Sequence, residues 1–268
     1  MAIRTLVVSD LDNTLLNSSH QLDPLTITTF QQLEQHGVTL AIASGRHFLD
    51  IQRVRAQLGV SASIISSNGA CLHEPDDRLV FEHVLEATLV EQLTGIERPD
   101  SVRLNLYTPD KWLIDRGDAR IEAFHHSTGF KYEIDPSIVG QARSDVCKVL
   151  YLGPAEQLAE IEALIRSRMG KQVHFTYALP NSLEVMALNV NKGRALEQLL
   201  ERLGMTAAQC VAFGDNLNDI EMLELAEGGC IMENANQLLF EALPGREVIG
   251  HHDQAGVAKK LRTLFELD

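Results

Sequence analysis

The chain opens with an apolar run, Leu6, Val7 and Val8, that gives way within two residues to Asp10 and Asp12, two acids separated by one leucine. A short continuous apolar run reads as a strand buried on both faces. The stretch 22–37 then sets Ile27, Phe30 and Leu33 on one helical face, with Asp23 as N-cap, Pro24 as first helical residue and Gly37 as the stop. VTLAIA, the turn SGR, and a helix with Ile51, Val54 and Leu58 inward repeat the pattern, and SIIS adds a third strand before SNGA. Strands alternating with helices predict a parallel sheet flanked by helices. CLHE and LVFEH, on either side of the polar PDDR, predict a hairpin.

From about Val84 the pattern changes. Val102, Leu104 and Leu106 alternate with polar residues, which predicts a sheet with one buried face. A short strand WLIDR follows, then a helix carrying Leu158, Ile161 and Ile165, then VHFTY and LEVMA. Trp112 and Tyr107 are read as packing a hairpin, and His125 and His126 as surface residues of an amphipathic helix. From Asn191 the first pattern returns: a helix with Leu196, Leu199, Leu200 and Leu203 inward, the strand QCVAF, the loop GDNLND, the strand GCIM and a C-terminal helix. The expected organisation is an α/β parallel-sheet core built from 1–83 and 188–268, interrupted by an α+β insertion over 84–187.

Composition narrows the partners. The 268 residues carry 37 acids against 23 Lys and Arg, a formal net charge of -14. That field repels nucleic acid and anionic membrane surfaces, and a small anion can bind only where a local cation overrides it. Cys71, Cys147, Cys210 and Cys230 form no C-x-x-C pair and read as reduced core residues. With no cleavable leader pattern and no apolar run near 18 residues, the expected location is cytoplasmic.

In parallel sheets ligands sit beyond the C-terminal strand ends. Four segments would meet there: Asp10 with Asp12; Ser44, Gly45 and Arg46; Lys192; and Asp215, Asn218 and Asp219. Carboxylates dominate this set, and oxygen ligands of that kind favour magnesium over zinc. Magnesium takes oxygens from its substrate, so the expected guest is a phosphate, with Ser44 and the Gly45 amide as donors at a strand-to-helix turn and Lys192 as a point charge. A bare carboxylate about 4 Å from a phosphate dianion would be repelled by roughly 8 kcal/mol at an effective dielectric near 20. That arrangement makes sense for attack: Asp10 as nucleophile forming an aspartyl phosphate, and Asp12 as the acid and base that serves leaving group and water.

DLDNTLL, SGR, the lysine of NKG and GDNLND resemble the four motifs of the haloacid dehalogenase (HAD) superfamily, and their order, with a large insertion between the second and third, resembles its Cof-type phosphatases with a C2 cap. SNGA and LEVMALNVNKG are similar to that branch as well. The resemblance implies a Rossmann-like parallel-sheet core with an inserted α+β cap that closes over substrate. It implies Mg2+ held by Asp10, the backbone carbonyl of Asp12, and Asp215. Leu11, Ser44, Gly45, Lys192 and Asn218 would hold the phosphate, and Asp219 would orient Lys192 or metal waters. Arg46, Asn68, Asn105 and Glu184 are candidate substrate contacts. Asn13 stands where the family usually has glycine, which calls for a positive φ that asparagine tolerates. The expected substrate is a small phosphorylated metabolite such as a sugar phosphate, pyridoxal phosphate or flavin mononucleotide, and a monomer is the default. Rival readings are a phosphomutase, a phospho-aspartate signalling module and a capped binding protein without catalysis.

Overall fold

The computed structural model describes residues 5–119, 121–122 and 131–268. His125 and His126 lie outside the described residues. In chain order the elements are β1 (Leu6–Ser9), α1 (Pro24–Gln35), β2 (Thr39–Ala43), α2 (Phe48–Leu58), β3 (Ala62–Ser66), β4 (Cys71–His73) and β5 (Leu79–Glu82). Next come α3 (Ala87–Thr94), β6 (Arg103–Tyr107), β7 (Trp112–Ile114), β8 (Glu133–Ile134), β9 (Lys148–Leu152), α4 (Ala155–Met169), β10 (Val173–Leu179) and β11 (Ser182–Ala187). The chain ends with α5 (Lys192–Leu203), β12 (Cys210–Gly214), α6 (Ile220–Leu225), β13 (Gly228–Met232), α7 (Gln237–Ala242), β14 (Glu247–Ile249) and α8 (Gly256–Leu264). Two compact units result, one of residues 1–46, 51–80 and 191–268, the other of 47–50 and 81–190.

An eight-stranded sheet in the order β14-β13-β12-β1-β2-β3-β4-β5 organises the first unit. The six strands from β14 to β3 run parallel, and β4 turns back antiparallel to β3. Leu6, Val7 and Val8 are fully buried because β1 is central, with Val7 opposite Val211 on one side and Leu40 on the other. Parallel pairing puts the ends of β1, β2 and β12 on one sheet edge, so Asp10, Ser44 and Asp215 emerge together.

The helices follow their caps. Asp23 accepts a 2.8 Å hydrogen bond from the Leu25 amide and Pro24 opens α1. The buried face of α1 is formed by Thr26, Thr29, Phe30 and Leu33, whereas Ile27 is only partly covered. On α5 the buried face is Ala195, Leu196, Leu199 and Leu200; Leu203, expected inward, is 37% exposed. It is the last helical residue before the left-handed Gly204, where the chain turns off the sheet.

A six-stranded sheet in the order β10-β11-β9-β6-β7-β8 forms the second unit. One face, with Leu104, Leu106, Val149, Tyr151, Leu183 and Val185, packs with Leu89, Val90 and Leu93 of α3 and with Leu158, Ile161 and Ile165 of α4. Alternation suggested solvent on the opposite face, and the structure corrects this: Asn105, Trp112, Lys148 and Glu184 are all buried there. They satisfy one another. Lys148 pairs with Glu184 at 3.0 Å and lies 4.4 Å from the Tyr107 ring centroid, and Trp112 Nε1 donates to Asn105 Oδ1 at 3.0 Å. Tyr107 and Trp112 pack edge to face across β6 and β7. Among the described residues no helix is long and apolar enough to cross a membrane.

Candidate active site

The loop after β1 is a wide five-residue turn, Leu11–Leu15, closed by a 2.9 Å bond from the Leu16 amide to the Leu11 carbonyl. Asn13 adopts φ 56° and ψ 16°, the left-handed conformation its position calls for. The Asn234 side chain, which lies in no motif and carried no signal before folding, donates to the Asn13 carbonyl at 2.8 Å. The turn sends the two acids different ways. Asp10 points to Lys192, whose Nζ lies 2.6 Å from Asp10 Oδ1 and 2.7 Å from Asp219 Oδ1 in a fully buried position. Asp12 points to Arg46, which grips it through Nε at 2.8 Å and Nη2 at 2.5 Å, with His20 at 3.7 Å.

Asp10, Asp215 and Asp219 bring carboxylate oxygens within 4.8 Å of one another. Burial pushes the Asp10 carboxyl up to about 7 against the pull of Lys192, with Asp219 and Asp12 adding to the rise. Burial likewise raises Asp215 to about 9, reinforced by the charges of Asp10 and Asp219. Burial alone would lower Lys192, but Asp10 and Asp219 hold its ammonium above its ordinary range. Fully ionised, three carboxylates facing one ammonium would leave two surplus negative charges, which a divalent cation would balance in place of protons. The donor set fits such an ion. Asp219 is the exception, since Oδ1 takes Lys192 and Oδ2 takes the amides of Asp215 at 3.0 Å and Asn216 at 3.1 Å. It is a brace: it orients the lysine and fixes the loop of Asp215. Gly214 must be glycine here, because a Cβ would stand 2.5 Å from the Asp219 side chain. Thr14 also braces the centre, donating to Asp215 Oδ1 at 3.3 Å; its place in DLDNT was the available signal.

For Asp12, burial opposes ionisation, yet the His20 imidazole and the Arg46 guanidinium beside it hold the carboxyl well below the usual range. Arg46, a candidate substrate contact by sequence, is here an ion-pair partner of the second acid.

Ser44, Gly45 and Asn218 meet through Asn68. Its amide donates to the Ser44 carbonyl at 3.0 Å, and its side-chain Oδ1 accepts from Asn218 Nδ2 at 3.0 Å. A Cβ on Gly45 would stand 2.9 Å from Asn68 Oδ1. The Ser44 hydroxyl accepts from the Arg46 amide at 3.2 Å, leaving its own proton to donate. Ser67, Asn68 and Gly69 all have positive φ, and a Cβ on Gly69 would stand 2.2 Å from the Asn191 carbonyl, so the SNG turn seats closely against the start of α5. Leu11 is fully buried. Asn105 and Glu184 belong to the second unit, where each is buried and hydrogen-bonded as described above.

A family profile described as haloacid dehalogenase-like hydrolase matches residues 7–261. A Haemophilus influenzae protein is 37% identical over 98% of this chain and 97% of its own length. An HMP-PP phosphatase of Cronobacter sakazakii is 35% identical over 94% of this chain and 92% of its length. Among solved structures, a haloacid dehalogenase-like hydrolase from Bacteroides thetaiotaomicron superimposes with a TM-score of 0.88 at 25% identity, covering 98% of this chain and 100% of that one. The match spans all four motif loops that carry the aspartates and Lys192, and the chain belongs to the haloacid dehalogenase-like hydrolase family, as a phosphoric monoester hydrolase.

Proposed function

We propose that the chain is a magnesium-dependent phosphatase that hydrolyses small phosphorylated metabolites through an aspartyl phosphate on Asp10. The carrying observation is the charge arrangement around Asp10: a buried ammonium at 2.6 Å on one side and the unbalanced carboxylate of Asp215 on the other. Asp10, Asp215 and the Asp12 carbonyl would hold Mg2+, which when bound supplies the positive charge that lets a carboxylate meet a phosphate. Lys192, Ser44, the Gly45 and Leu11 amides and Asn218 would hold the phosphate oxygens. Asp10 attacks phosphorus, the bond to the leaving oxygen breaks, and that oxygen takes a proton from Asp12. Water then attacks the aspartyl phosphate, gives its proton to Asp12, and releases phosphate while Asp10 is restored. The ion pair with Arg46 favours the second step, in which Asp12 acts as base, and must loosen for the first. Arg46, Asn68, Asn105 and Glu184 would contact the rest of the substrate.

The test is phosphate release from a panel of sugar phosphates, pyridoxal phosphate, flavin mononucleotide and HMP-PP, the compound in the Cronobacter relative's name. Turnover is expected with magnesium, is lost in EDTA, and falls at least about a thousandfold in Asp10→Asn. Full activity in that variant would remove Asp10 from the nucleophile role. Substrate isomerisation with little phosphate release would replace the reading with a phosphomutase.

A further inference from the structure

The two loops that carry Asp12 and Asp215 are both held from a third, residues 233–236, which follows β13. In the sheet β13 lies beside β12 and β12 beside β1, all parallel, so this third loop emerges at the same edge. Its two asparagines reach in different directions. The Asn236 amide donates to the Asp215 carbonyl at 2.8 Å, and its Nδ2 donates to Asn216 Oδ1 at 3.3 Å. Asn234 Nδ2 donates to the Asn13 carbonyl at 2.8 Å, 221 residues earlier in the chain, while its Oδ1 accepts from the His252 amide at 3.0 Å. A carbonyl only accepts and a backbone N–H only donates, so these two partners fix the Asn234 side chain in one orientation.

The residue held in this way is in an unfavourable conformation for an L side chain: Asn13 has φ 56°, next to an extended Asp12 with ψ 130°. The peptide joining the two is planar, so the ψ of Asp12 and the φ of Asn13 together set the direction of the Asp12 carbonyl. Relaxation of Asn13 to a negative φ turns that peptide over and takes the carbonyl with it. The bond on the far side of Asn13 opposes this, and it does so close to Asp215, to which the next residue, Thr14, donates at 3.3 Å. Asn234 is only partly buried, so water reaches the groups that its removal would release. Its amide therefore sets a backbone direction more than it supports the core.

We propose that Asn234 is a positioning residue for the divalent cation. It ties the Asn13 carbonyl to the backbone of His252, keeps Asn13 left-handed, and so keeps the Asp12 carbonyl in the direction its ligand role requires, while Asn236 holds Asp215 from the same loop. The proposal rests on the reading of Asp10, Asp215 and the Asp12 carbonyl as the magnesium ligands, and Asn234 acts through Asn13 without touching the cation.

The test obtains the Mg2+ dissociation constant of the full chain, without substrate, from the rise of Tm with Mg2+ concentration, and compares it with the Mg2+ concentration that gives half-maximal phosphate release. Asn234→Ala removes both bonds, and Asn234→Leu removes them while keeping the bulk of the side chain. Both variants should bind Mg2+ about tenfold more weakly, the loss usual for a group that orients a metal ligand. Their Tm in EDTA should stay close to that of the parent, and their substrate KM at saturating Mg2+ should stay within about twofold of it. Asn13→Gly added to Asn234→Ala should recover most of the affinity, because glycine takes a positive φ without steric cost. Parent-like Mg2+ affinity in both folded Asn234 variants overturns the proposal, and so does a loss that Asn13→Gly does not recover. A parent whose Mg2+ affinity is unchanged by Asp215→Asn is a separate result: it places the cation elsewhere and removes the magnesium reading together with this proposal.

Discussion

Asp12 and Arg46 show how much a single side-chain pairing decides. The spacing D-x-D made both acids equally available to a substrate, yet the structure gives Asp10 a buried ammonium and Asp12 a guanidinium at a partly exposed position. A fork of two N–H groups on one carboxylate is the strongest common form of such a pair. Removing it in Arg46→Ala takes away one of the two holds on the Asp12 anion and leaves His20 as the other, so the Asp12 carboxyl rises toward its ordinary range. The alkaline limb of kcat/KM against pH, set by the first step in which Asp12 must carry its proton, should move to higher pH by about one unit or more. An unmoved limb, with the variant folded, would show that Asp12 is not the group that titrates in turnover. Lys192 lies at the other extreme: its substitution by methionine leaves two buried carboxylates unpaired and should cost about 3–5 kcal/mol of stability, read by denaturant unfolding.

At the scale of elements, α5 carries the third motif and shows where helical periodicity stops being informative. Leu199 and Leu203 are four residues apart and share a helical face, but Leu199 is 2% exposed and Leu203 is 37% exposed. Leu199→Ala should therefore cost about 2–5 kcal/mol, as for a core cavity, and Leu203→Gln should stay within about 0.5 kcal/mol. Similar losses from both would mean that Leu203 is packed. The start of the same helix is set by a contact no periodicity encodes: Asn191 caps it by accepting from the Arg194 amide at 2.8 Å, and its carbonyl meets Gly69 of the SNG turn. Lys192 is thus aimed by a loop more than a hundred residues earlier in the chain.

For the whole molecule, the surplus negative charge at the centre sets a coupling between pH and cation. Asp215 is raised from 3.8 to about 9, so between those values the folded protein holds a proton that the unfolded chain has released. Its contribution to stability therefore falls as pH rises through that window, and Asp10, raised to about 7, falls earlier within the same window. Magnesium held by these carboxylates would bind the ionised form and offset the loss. At a concentration about a hundredfold over Kd, magnesium should stabilise by about 2.7 kcal/mol, or roughly 5–10 °C in Tm. The gain should be larger at pH 9 than at pH 6 and largely absent in Asp215→Asn. Equal gains at both pH values would place the cation elsewhere.

The sequence by itself determined the class of the first unit, because a parallel sheet needs strands apolar on both faces and alternating helices, and both patterns are local. It also determined the chemistry on offer, since the four motifs lie at strand ends and helix starts that parallel pairing must bring to one edge. Tertiary structure decided the rest. Arg46 pairs with Asp12 across 34 residues, Thr14 meets Asp215 across 201, and Asn68 links Ser44 to Asn218. The buried polar face of the second sheet was equally hidden, because alternation records which residues are apolar and not whether their polar neighbours find partners. Such pairings depend on distances between segments remote in sequence, and those distances exist only once the chain has folded.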